Sequence, residues 1–271
     1  MASMNKTQLA IDILTEQLFI VEGVITDLLT RVNMQNLNSG LQSGTNAIAV
    51  SSALVGQIGS AALASFAASD EGLDVQDFAF ELTDNNGSKH YFKGCFPEVV
   101  FKKGDKVQVV AKHIDNNYSC AIAVIDIQNN YIWTGQEVVK GRWRYRVFGI
   151  KIIGVIGCLS LIFGVVAISL LGGFNLLLEN YMLITLFCSF LIFIFIGWQV
   201  GGSFDGQSIE LEAILKKIGF HEPSRMDLQN FALTDLEWKN KKDDVEHERW
   251  KDFTYRLDLA RQADESKHGK K

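Results

Sequence analysis

The chain has 271 residues, a formal net charge of −5 and 21% charged side chains. That balance excludes a protein dominated by polyanion binding and one dominated by disorder, and leaves room for one or two small soluble modules beside a membrane part. Four cysteines, Cys95, Cys120, Cys158 and Cys188, have neither metal-type spacing nor the look of a disulfide framework, which points to a reducing compartment.

The opening stretch to about Gln17 reads as a short helix. It lacks the basic start and apolar core of a signal peptide, so export would have to use another route. Leu18 to Leu29 (LFIVEGVITDLL) is rich in β-branched residues and contains Gly23, so a strand is expected there. From Val32 to Ser69 there is no charge, and Ser52, Gly56, Ser60, Ala64 and Ala68 recur every four residues. Small residues at that spacing let helix backbones approach closely within lipid, so 31–72 is a candidate membrane-active segment. A soluble Ala-rich helix or a flexible Gly/Ser tract fits the same composition.

Residues 73–139 read as a compact β module with strands near 77–82, 88–95, 106–113, 118–127 and 131–134. Phe78, Phe80 and Leu82 alternate with Ala79 and Glu81, while Val107, Val109 and Ala111 alternate with Lys106, Gln108, Val110 and Lys112. Asp84, Asn85, Asn86 and Gly87 give the strongest turn, with others at Lys103, Gly104, Asp105 and at Asp115, Asn116, Asn117. Five short strands at this spacing predict a small barrel, OB-like or SH3-like. Tyr91 and Phe92 stand alone beside Lys93, so a scaffold or protein-contact role is expected and nucleic acid is not.

A basic, aromatic run follows: Lys140, Arg142, Trp143, Arg144, Tyr145, Arg146 and Lys151. Trp interleaved with Arg beside an apolar run is the composition of the lipid headgroup level, so Lys140, Arg142, Trp143, Arg144 and Arg146 are candidate headgroup contacts. Between 152 and 204 the only charge is Glu179. Ile152 to Leu178 would extend about 40 Å as a helix against a hydrocarbon core of about 30 Å, and Tyr181 to Gly202 is charge-free. The Gly172 to Asn180 connection carries turn residues, so 147–202 reads as a transmembrane hairpin with its basic flank, and both ends, in the cytoplasm. Within it Gly157, Ser160, Gly164 and Ala167 share one face, and Thr185 and Ser189 form a polar stripe; these are candidate helix-packing or pore-lining positions.

Residues 203–271 read as amphipathic helices, one over Ser208 to Ile218 stopped by Gly219 and another from about Leu236 to Ala263 with Trp238, Trp250, Phe253, Leu257 and Ala260 on its apolar face. No catalytic motif appears. His90, His113, His221, His247 and His268 are scattered, and His247 and Glu248, as sequence neighbours, point about 100° apart on a helix. No enzyme, metal site or cofactor is expected, and no ionisable relay lies within the spans. The expected whole is an α+β membrane protein: 1–30, an N-terminal helix and strand; 31–72; the barrel at 73–139; the hairpin at 147–202; and the helical region at 203–271.

The arrangement resembles the putative type VI secretion system effectors of Gram-negative bacteria. The resemblance is carried by Glu22, Gly23, Val24, Ile25 and Thr26, the uncharged tract at 46–69, the barrel segment FKGCFPEVVFKKGDKVQVVAKHIDNNYSCAIAVID, the Lys140, Gly141, Arg142 turn, and ILKKIGF after the hairpin. It covers most of the chain to about residue 235, and departs from the family at Thr134, Gly135, Gln136 and Glu137. It implies a toxin that needs no signal peptide, inserts in a recipient's inner membrane and permeabilises or depolarises it. Its partners would be membrane lipid, a secretion tube or tip protein, an immunity protein and further copies of itself. A resident docking scaffold, or an immunity protein, using the barrel for protein contacts are the alternatives.

Overall fold

A computed structural model describes residues 2–35, 73–114, 118–135, 139–172, 180–239 and 248–268. The small-residue segment with Ser52, Gly56, Ser60, Ala64 and Ala68 lies outside them. Helix α1 (Ala2–Gln17) runs straight into β1 (Leu18–Gln35), and β2 (Leu73–Asp84), β3 (Lys89–Phe96), β4 (Lys106–His113), β5 (Ser119–Asp126) and β6 (Tyr131–Thr134) follow. After the paired helices α2 (Arg142–Gly172) and α3 (Asn180–Gly202), the chain returns through α4 (Asp205–Lys217), α5 (Leu233–Lys239), the two-residue β7 (Tyr255–Arg256) and α6 (Leu257–His268).

β1 is long enough to serve two ladders. Its first part pairs with β4, from Leu18 opposite Lys112 to Val24 opposite Lys106, and its later part pairs with β2, from Gly23 opposite Asp84 to Gln35 opposite Leu73. β2 pairs with β3, β4 with β5, and β3 runs parallel to β5 at Phe92 opposite Ser119 and Lys93 opposite Cys120. The circuit 1-2-3-5-4-1 is therefore closed, which leaves no barrel edge open along it.

The expected count of five barrel strands holds, but its membership changes. The fifth strand is β1, from the N-terminal segment, while β6 lies outside the barrel as an extension of β5 that β7 caps. The long helix expected over 236–263 is also corrected. Its middle is broken by a 3-10 turn (Arg249–Phe253) and by β7, because Tyr255 and Arg256 complete the edge of β6 and the Thr254 carbonyl accepts from Leu233 N–H at 3.0 Å.

Two cores meet across the sheet. In the barrel core Phe78, Phe80, Phe92, Phe96 and Phe101 are buried with the inward residues of β4, and Trp133 joins the cluster from β6. Their rings sit 4.8 Å apart for Phe78 and Phe96 and edge-on at 5.3 Å for Phe78 and Phe101, spacings that add about 0.5–1.5 kcal/mol per pair beyond burial. Trp133 places its indole N–H on Thr254 Oγ1 at 3.0 Å, so this core keeps no unmet indole donor. The second core covers the outer face: Val110, Ala123, Ile125 and Ile132 pack with Ile11, Leu211, Ile214, Leu215 and Leu257 from α1, α4 and α6. Val109 and Val110 are thus both buried, on opposite faces, because β4 is covered on both sides. The segments before and after the paired helices form one head.

Closure of the barrel depends on Gly94. A Cβ there would lie 2.4 Å from the Phe78 ring and 2.8 Å from the Ala121 carbonyl oxygen on β5. Gly94→Val is expected to lower stability by about 1–3 kcal/mol through overpacking against backbone that cannot yield. Gly206→Ala, where a Cβ meets nothing within 4 Å, should leave the melting temperature of the purified protein unchanged or slightly raised.

Candidate membrane interface

The segments Arg142–Ala167 of α2 and Ile184–Gly202 of α3 are long and apolar enough to cross a bilayer. A core helix of similar composition would be mostly covered by protein, but only 6% and 11% of these apolar windows are buried. Phe163 is 77% exposed, and Leu159, Ile184, Phe187 and Phe195 are each above 60%. Lys151 is exposed and marks where the charge-free run begins. From there to Gly172 the helix extends about 32 Å at about 1.5 Å per residue, close to a hydrocarbon thickness of about 30 Å.

The two helices touch through glycine. A Cβ at Gly149 would sit 2.4 Å from the Gly197 carbonyl oxygen, one at Gly197 would sit 2.8 Å from Ile150 Cα, and one at Gly201 would sit 2.4 Å from Arg146 Cα. Gly197 and Gly201 are four apart and lie on the face of α3 that meets α2, so the backbones approach as in small-xxx-small packing. The sequence reading missed this pair, although the GWQVG spacing carries the signal. Of the positions it named, Gly157 is buried, and a Cβ there would meet the Phe193 ring at 2.5 Å. A Cβ at Gly164 would meet nothing, Ala167 and Ser189 are half-buried, and Ser160 and Thr185 are exposed. The Ser160 hydroxyl donates to the Ile156 carbonyl at 2.9 Å, which satisfies it without a partner helix. The structure thus brings Gly157 into the α2–α3 contact and turns Ser160 and Thr185 outward.

The basic run at the base of α2 corrects the headgroup expectation for two of its members. Arg146 is turned inward, 7% exposed, and makes a two-point ion pair with Asp205, with Nε 3.2 Å from Oδ1. Its guanidinium also lies 4.7 Å from the centre of the Trp198 ring. Arg142 donates its backbone N–H to Glu212 at 2.8 Å, approaches the same carboxylate through Nε at 3.3 Å, and bonds Gln8 of α1. Both arginines therefore tie α2 to the head: α4 is brought to the point where α3 ends, and its carboxylates reach back to α2. Trp143, Arg144 and Lys140 keep surface. Trp143 is 42% exposed and meets Trp198 edge-on at 5.3 Å, Arg144 donates Nε–H to the Arg225 carbonyl at 2.8 Å, and Lys140 lies 5.6 Å from the Phe148 ring centre.

Burial holds the Glu212 carboxyl above its ordinary value of 4.5, against the opposing pull of the Arg142 N–H and guanidinium. Burial, then the neighbouring Asp77, pushes the Cys95 thiol up to about 11, and burial raises Cys120 as well, so neither is poised as a nucleophile. Among the described residues no three His, Cys, Asp or Glu side chains gather as a metal site. Comparison with protein-family models, curated proteins and solved structures gives no match.

Two outcomes follow for the purified protein in detergent. Arg146→Ala strands Asp205 as a buried lone charge and should cost about 3–5 kcal/mol, whereas Arg146→Met combined with Asp205→Leu should cost much less, as read by thermal unfolding. Because the folded value of Glu212 is raised, the folded state holds that proton more tightly than the unfolded chain, and its ionisation opposes folding as pH rises through 4.5 towards the folded value. Glu212→Gln removes that penalty, so the melting temperature of the variant relative to wild type should be higher at pH 7 than at pH 4.

Proposed function

We propose that the protein is a two-span integral membrane protein of the bacterial inner membrane whose hairpin acts on the bilayer, as its resemblance to type VI secretion effectors implies: insertion, then permeabilisation or depolarisation. The observation that carries this reading is the bareness of α2 and α3, only 6% and 11% of whose apolar windows are buried by protein. Surface of that extent has lipid as its natural solvent. Since the segments before α2 and after α3 build one head, an inserted hairpin leaves that head on a single face, and the basic flank favours the cytoplasmic one. With Glu179 as the sole charge between 152 and 204, the hairpin has no proton relay and its action is passive.

A docking role is favoured by a separate observation, the collar of Arg146, Asp205, Arg142 and Glu212 that fixes the head to the hairpin. A platform needs such a fixed orientation, and a leak does not. In that reading the barrel presents a partner-binding face at a set height above the membrane.

Three measurements separate these readings. Alkaline carbonate should leave the protein in the membrane fraction; its release would overturn both. Induction should collapse the signal of a potential-sensitive dye, and an unchanged potential with a stable co-purified partner would leave the docking platform. Gln35 and Leu73 are ladder partners, so the stretch 36–72, charge-free as far as Ser69, leaves and rejoins the sheet at one point. Replacing it with Asn-Gly, a two-residue hairpin turn, should preserve the thermal transition and abolish depolarisation if that segment joins the hairpin in the membrane.

A further inference from the structure

A cleft of about 760 Å³ opens beside the base of α2 and is used neither by barrel closure nor by the collar. Three cations reach it from three different elements: Arg144 from the first turn of α2, Arg225 from the 3-10 turn Pro223–Arg225, and Lys239 from the end of α5. Among the described lining residues Asp227 is the one acid against these three cations, so the wall is cationic on balance. The rest of the lining is largely apolar, with Phe231 and Leu236 prominent. A concave site that is cationic on one side and oily on the other suits an amphiphile bearing a phosphate.

Its position narrows the ligand. Arg144 lies seven residues before Lys151, about 10 Å along the helix, so it stands just outside the charge-free run. Arg225 lies 5.7 Å from the centre of the Trp143 ring, and Trp143 meets Trp198 edge-on; paired tryptophans at that depth are the composition of the headgroup belt. Arg144 and Arg225 are held together by the 2.8 Å bond from Arg144 Nε to the Arg225 carbonyl; among the described residues Arg225 Nε also lies 3.2 Å from Glu222, and Lys239 Nζ donates to the Asn230 carbonyl at 3.4 Å.

We propose that this cleft binds the phosphate-bearing headgroup of a bilayer phospholipid, with Arg144, Arg225 and Lys239 on the phosphate and the apolar wall against the glycerol and first methylenes. The proposal rests on the hairpin crossing the membrane. A bound phospholipid would cement the head against the bilayer surface beside α2. The same cations would also accept free phosphate, and the test separates the two sources.

The full chain, purified from membranes in mild detergent, is assayed for retained phospholipid by mass spectrometry. Wild type and Lys102→Gln/Lys103→Gln, which removes two exposed lysines on the barrel, should retain lipid. Arg144→Gln/Arg225→Gln should retain it about thirtyfold more weakly, and Lys239→Gln at an intermediate level, if each cation contributes as membrane-surface cations do. Delipidated wild type should gain thermal stability from a short-chain phospholipid and none from inorganic phosphate. An equal gain from inorganic phosphate would assign the site to free phosphate and overturn the lipid. Equal lipid loss in the Lys102/Lys103 variant, or no retention by wild type, would overturn the site itself. Carbonate extraction of the same samples reads the spanning separately, since a variant that loses lipid but stays in the membrane fraction fails only at the cleft.

Discussion

Arg146 and Asp205 meet where one helix leaves the head and the other returns to it, and most of the architecture is arranged around that meeting. Both are nearly fully buried, and removing a guanidinium and a carboxylate from water costs several kcal/mol per ion unless geometry restores it. Two-point contact restores part, and the face of Trp198 supplies an aromatic surface to the cation. The pair is satisfied only when α2, α3 and the start of α4 converge. It therefore acts more as a register pin than as a source of net stability. Gly201 beside Arg146 shows the same demand from the backbone side, since any side chain there would lift α3 off α2 and pull Trp198 from the guanidinium.

The head meets that demand by being woven from segments far apart in the chain. β1 closes the barrel, and α1, which leads directly into it, lies against α4 through Ile11 and bonds the hairpin base through Gln8. Asp12 and Lys216, 2.7 Å apart, extend the same contact at the surface, where such a pair contributes little alone. The result is that the N-terminal helix, the barrel and the C-terminal helices hold the two ends of the hairpin in one place before any membrane is involved. The head is the clamp and the hairpin is what it clamps.

Much of the fold was legible in sequence wherever one pattern governed a segment. The turn at Asp84 to Gly87 forms as expected, with Asp84 Oδ1 accepting from Asn86 and Ser88 N–H and Gly87 at a φ of 80°. Strands β3 to β6 fall close to their expected bounds because each has a covered face and a marked turn, while β2 runs to Leu73–Asp84, twice the expected length, because the far end of β1 pairs with it. What was not legible came from contacts between distant segments. Val110 looks like a polar-face position until α4 covers it, and β7 is two residues in a helix-like stretch that become a strand only because β6 has an edge to complete. Arg142 and Arg146 have the composition of lipid contacts, and nothing local says that Glu212 and Asp205, about 60 to 70 residues on, will claim them. The Gly197 and Gly201 seam is written in the GWQVG spacing, but only the approach of the α2 backbone distinguishes it from the longer small-residue face on α2.

The clamp also bears on how the apolar hairpin is handled if, as proposed, it enters a bilayer. The contacts that hold its ends lie at the level of Arg146 and Gly149 and below, so they do not require the outer turns of α2 and α3 to be in lipid. The head can reach its native packing while those turns are still bare. Bare turns of this length attract one another and any other apolar surface. A protein made this way needs either prompt delivery to a membrane at its place of synthesis or a carrier that shields the hairpin in transit. A resident protein meets that requirement by co-translational insertion. On the proposed effector reading, an exported copy would meet it with a carrier that covers α2 and α3 until lipid replaces it.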